Sequence, residues 1–166
     1  MDIRQALLAV HSKAQAVRIV DHIGGDPQKF AELMSIFFGS EYRLTQRAAW
    51  PTSHCVERWP ELIGPYLDQM IEQLARDDVH DAVEWNVARL LQYIDIPPKL
   101  QGKVYSYCVD LVDDINEPVA VREFSLTVVT KIATANPDLK NELRLMVEKH
   151  LEHTSGAFHK RARAIL

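Results

Sequence analysis

Three prolines impose the strongest constraint on this chain. Each opens a segment in the same way: Trp59-Pro60-Glu61-Leu62, Pro97-Pro98-Lys99-Leu100 and Asn136-Pro137-Asp138-Leu139. Proline suits the first helical turn, where its missing N–H would be unsatisfied anyway. Pro60 and Pro98 are 38 residues apart, and Pro98 and Pro137 are 39 apart. The register continues down each following helix. Leu62, Leu100 and Leu139 are equivalent, as are Tyr66, Val104 and Leu143, then Met70, Cys108 and Val147, then Leu74, Val112 and Leu151. Every one of these positions is hydrophobic, and the four-residue spacing lays them along one helical stripe. Three such stripes in phase predict stacked helical hairpins, none of which can bury its apolar face alone.

A more divergent copy starts at Asp26-Pro27, with Phe30, Met34 and Phe38 as its stripe. Asp26 is suited to cap that helix, and Gly24-Gly25 to end the one before it. The partner helices are expected from Ser12 to Ile23, Glu41 to Ser53, Asp81 to Tyr93 and Glu117 to Ala135. Pro51 is expected to end or kink the second of these, since it cannot donate to the helical ladder. An amphipathic helix over Asp2 to Val10 opens the chain. A short one over Ala157 to Leu166 closes it as half of another repeat. At 166 residues the length fits one domain, 1–166.

These residues resemble the HEAT and armadillo-like repeat superfamily over most of the chain, from about Ser12 to Leu166. The resemblance rests on the period, the proline openers and the stripe. Basic residues early in the first helices, Arg47, Arg122 and Arg161, add to it. Trp85 departs from that pattern by standing where the register of Arg47 falls, and Arg122 and Arg161 are offset by about a residue. The resemblance implies an all-α right-handed α-α superhelix of about four hairpins plus a C-terminal half repeat. It carries architecture better than activity, because such folds host many functions.

The chain has no G-x-x-x-x-G-K-[ST] loop, G-x-G-x-x-G, G-x-S-x-G or H-E-x-x-H motif. No catalytic residue, cofactor or metal is therefore assigned. His150-x-x-His153 has spacing that suits a metal on one helix face, but zinc needs a third ligand and none is near in sequence. The pair reads as a solvated helix end. Asp110, Asp113 and Asp114 could serve acid–base or cation chemistry and read instead as a polar turn. His54-Cys55 point in different directions on a helix. Cys55 and Cys108 lack a CxxC partner and read as small packed hydrophobes. With no long apolar run, a cytoplasmic protein is expected.

The function expected is a non-enzymatic protein- or peptide-binding module. Its contact row is Gln69, Tyr107 and Met146 on the second helices, with Lys103 and Asp110 flanking Tyr107 to orient a partner. The alternative is a nucleic-acid-binding or alkylation-repair glycosylase-like protein of the same fold, with Tyr105, Tyr107, Asp110 and Arg122 supplying the side-chain types. A net charge of −4 disfavours it. Trp50, Trp59 and Trp85 read as packing residues. Homodimerisation through the last half repeat is a further expectation, on the view that Phe158, Ile165 and Leu166 are only partly covered.

Overall fold

Asp2, Ser12 and Asp26 each place a side-chain oxygen against an amide of the turn that follows, accepting from Gln5, Gln15 and from both Gln28 and Lys29. Such caps satisfy donors that a helix start leaves open. They fix three helices in the computed structural model: α1 (Ile3–Ala9), α2 (Lys13–Ile23) and α3 (Pro27–Phe37). The structure describes residues 1–74, 81–154, 156–163 and 165–166. Further along lie α4 (Tyr42–Arg58), a 3-10 stretch Pro60–Tyr66 running into α5 (Leu67–Leu74), and α6 (Asp81–Leu91). Then come α7 (Pro98–Asp113), α8 (Val119–Ala135), α9 (Pro137–His150), a 3-10 turn Leu151–His153 and α10 (Ala157–Ala162). No strand occurs among the described residues.

Gly24 ends α2 in the left-handed conformation, at φ 57°. Gly25 follows at φ 80°, and a Cβ there would sit 3.0 Å from the Trp59 indole nitrogen. The chain forms two compact units, Met1–Ile94 and Asp95–Leu166. Each is organised around one long helix. In the first, α4 packs against α1, α2, α3, α6 and the Pro60–Tyr66 stretch. In the second, α8 packs against α7, α9 and α10, most extensively against α7.

The stripe found in the sequence is the core. All its members are buried except Tyr66, Leu139 and Leu151, which are half-buried. Phe30, Leu33, Met34 and Phe37 on α3 are fully enclosed, while Phe38 is half-buried beside Tyr66. The repeat period also shows in polar bonds between neighbouring repeats, within each unit. Arg58 to Asp21 spans 37 residues, Arg89 to Ser53 36, Lys149 to Asp113 36 and Arg161 to Glu123 38.

Three local expectations need correction. Helix α4 does not end near Pro51 but runs on to Arg58. Pro51 itself is buried, with Thr52, Ser53, Cys55 and Val56 beyond it. Burial of that face outweighs the roughly 3 kcal/mol that an interior proline costs a helix. The segment opened by Pro60 is a 3-10 stretch for its first seven residues. Pro65 inside it cannot donate an i−4 bond, so α-helical pairing begins only at Leu67. At the other end, Phe158 and Ile165 are buried, at 0% and 8% exposure, rather than partly covered, and α10 packs on α8. Only Leu166 of that group is exposed, so the apolar area that motivated a C-terminal dimer is already covered within the chain.

Candidate functional site

In the second unit α9 places two groups on the end of α7. Asp113 accepts from Lys149 Nζ at 2.9 Å, and its Oδ1 lies 2.7 Å from His150 Nε2. The His150 bond first, and the Lys149 bond second, hold the Asp113 carboxyl below its ordinary range. Higher up, Glu142 lies near Tyr105, whose phenol is raised by burial and secondarily by that charge.

The residues expected to make contacts lie on α7, α9 and α5. Lys103, Tyr107 and Asp110 are spaced i, i+4 and i+7 and so share a face of α7. Lys103 and Asp110 are exposed, and Tyr107 is half-buried. Met146 on α9 is also half-buried, while its neighbour Leu145 is 61% exposed. Leu145 was missed by the sequence reading. The register step from Pro60 to Pro98, applied from Tyr107, reaches Leu145; the step from Pro98 to Pro137 reaches Met146. Gln69 is exposed on α5 of the first unit.

Other candidates resolve differently. His150 is not at a solvated helix end: it is 2% exposed and committed to Asp113. The side chain of His153 lies outside the described residues. Among the described residues no group of three His, Cys, Asp or Glu side chains gathers as a metal site would require. Cys55 and Cys108 are free and buried, and burial pushes both thiols up to about 12. Arg122, offered as a groove residue in the nucleic-acid reading, is 4% exposed. Its Nε donates to the Val112 carbonyl at 3.0 Å, and its guanidinium lies over Phe158. Tyr105 is buried as well. Those side chains therefore do not converge on an open surface.

The early basic residues of the first helices turn out to bind neighbouring helices. Arg47 Nη1 donates to the Leu7 and Leu8 carbonyls at 2.8 and 2.9 Å, in the last turn of α1. Arg122 does the same for the last turn of α7. Carbonyls at such positions have no partner within their own helix. In α6 the job falls to Arg89, one turn after Trp85, which is itself 37% exposed. Arg89 donates to Ser53 Oγ at 3.1 Å and pairs with Glu57.

That contact belongs to a polar cluster the sequence did not reveal. The Ser53 hydroxyl lies 2.9 Å from Asn86 Oδ1 and 3.0 Å from the Trp50 carbonyl. His54 Nε2 faces Arg89 at 3.3 Å, so Nδ1 carries the proton toward Glu57 at 3.2 Å. Burial, then the Arg89 charge, lowers the His54 pKa. Ser53 thus bonds to Asn86 and Arg89 rather than to His54, and the set joins α4 to α6 without composing a nucleophile and its base.

A family model described as a HEAT repeat domain matches residues 3–166. The chain belongs to the HEAT repeat family. No curated protein and no solved structure matches it. No helix among the described residues is long and apolar enough to cross a membrane.

Proposed function

We propose that this HEAT repeat domain is a non-enzymatic module that holds another protein or a peptide on the α7/α9 surface of its second unit. One observation carries the reading: Tyr107 and the Leu145–Met146 pair offer apolar area on two helices fixed to each other through Asp113, with Lys103 and Asp110 of opposite sign beside them. Tyrosine and methionine are enriched at protein interfaces, and a prefixed surface loses less entropy on binding. Gln69 takes the corresponding place on α5. Charges of both signs along α7 suit a protein partner better than a polyanion. Cytoplasmic action is part of the proposal, since unpaired buried thiols fit a reducing compartment.

The test is affinity capture of the tagged chain from lysate of its native host, with and without nuclease, read by mass spectrometry. A protein that stays bound after nuclease is the expected result. Capture that disappears with nuclease would move the nucleic-acid reading ahead of this one.

A further inference from the structure

Helices α4 and α6 of the first unit are tied by one cluster, in which Ser53, His54 and Glu57 of α4 meet Asn86 and Arg89 of α6. We infer that His54 and Arg89 form a proton-operated switch: when His54 takes up a proton, the Arg89 guanidinium leaves its α4 partners for the Tyr93 ring and solvent. The switch lies within the first unit and does not depend on the α7/α9 surface.

The contacts fix which form of His54 the folded chain holds. A guanidinium has only donors, so Nε2, which faces Arg89 Nη1 at 3.3 Å, is the acceptor. Nδ1 then carries the hydrogen and donates to Glu57 Oε2 at 3.2 Å. The neutral ring keeps one lone pair, on Nε2, and a proton from solvent can settle nowhere else. There it stands N–H against N–H with Arg89, cation against cation. Solvent reaches the ring, since the side chain is 27% exposed. Burial first, and the Arg89 charge second, hold His54 below the ordinary imidazole range, while Glu57 acts the other way.

Glu57 decides which cation moves. Its Oε2 accepts from both His54 Nδ1 and Arg89 Nη2. Once the imidazolium forms, two cations share that carboxylate, and Arg89 has another place to go. Its guanidinium already lies 6.0 Å from the Tyr93 ring, which is 36% exposed. Ser53, fully buried, keeps its bonds to Asn86 and the Trp50 carbonyl. One side chain with two sets of partners, biased by one proton, is the bistable element such a switch needs. The remaining charge acting on His54 is Arg58 of its own helix, which Asp21 of α2 pairs. Arg4 of α1 meets Glu41 at the start of α4, and His11 stands across the Trp50 ring from His54. No ionisable group of α3 or of Pro60–Tyr66 is among the charges acting on His54.

The experiment is two-dimensional NMR of the full chain between about pH 7.5 and 5, following the His54 ring, the Arg89 Nε–H group and the amides of residues 85–93. The ring should titrate below the free imidazole value of about 6.5, and the Arg89 and α6 signals should share its midpoint. Arg89→Gln removes the facing charge and should raise the His54 midpoint by about one pH unit. His54→Gln keeps an acceptor for Arg89 and a donor for Glu57 but takes no proton, so it should silence the response of Arg89 and α6. A His54 midpoint at or above the free value would overturn the inference. So would an Arg89 signal that stays still through that midpoint, or an α6 response that survives His54→Gln.

Discussion

Replacing Arg122 in two ways separates the uses of a buried cation. Arg122 donates through Nε to the Val112 carbonyl at 3.0 Å and lies 5.3 Å from the Phe158 ring centroid. Its Nη2 is buried with no hydrogen-bond partner among the described residues. The charged bond is worth about 1.5–3 kcal/mol, and the buried unmet donor costs about 1–3 kcal/mol. Those two contributions nearly cancel. The ring contact adds about 1 kcal/mol. The methylene stem packs between α7 and α8, and each buried methylene contributes about 0.8 kcal/mol. Arg122→Met keeps the stem and removes the unmet donor but leaves the buried Val112 carbonyl without its partner, so it should cost about 1–2 kcal/mol. Arg122→Ala also loses the stem, opens a cavity, and should cost about 2–4 kcal/mol. Urea unfolding followed by circular dichroism measures both. Equal losses for the two variants would refute the reasoning, because the carbonyl cap alone would then dominate. An alanine cost below about 0.5 kcal/mol would refute the packing argument.

Two further predictions concern the same architecture. The two thiols should be inert to a disulfide-exchange reagent in the folded protein at neutral pH and react fully in denaturant, since both are buried and held near 12; fast reaction of the native chain would contradict this. Asp113 has a folded pKa below its unfolded value, so its contribution is present above the ordinary carboxylate range and is lost as pH falls through the lowered one. Asp113→Asn should therefore flatten stability against pH below about 4, and an unchanged acid limb in that variant would show that the Asp113–His150–Lys149 contact contributes nothing in solution.

Much of the fold was legible because its signals are local. Asp2, Ser12 and Asp26 are caps recognisable by residue type, and the proline openers set the period that the Lys149–Asp113 and Arg58–Asp21 bonds repeat in space. The errors arose where tertiary burial overrode a local rule. Pro51 sits inside α4 because the residues after it line the core. His150 looked like part of a solvated end, yet the fold places it under Asp113. Arg89, not Trp85, makes the inter-helix contact, since the side-chain direction one turn later is what reaches α4. The expected row named Met146 on α9, where the more exposed residue is Leu145, one position away in register. A single-residue phase shift of this kind turns a helix by about 100° and is invisible to a period known only to within a residue.

A partner held on the α7/α9 surface must depend on the side chains exposed there. The most direct measurement compares wild type with the Tyr107→Ala, Leu145→Ala, Asp110→Lys triple variant in quantitative capture after nuclease, alongside their melting temperatures. Leu145 and Asp110 are exposed and Tyr107 is half-buried, so the melting temperature should change little. Loss of the partner at least tenfold with the fold intact is the predicted result. Undiminished capture by an intact variant would contradict the claim and place the interaction elsewhere on the chain.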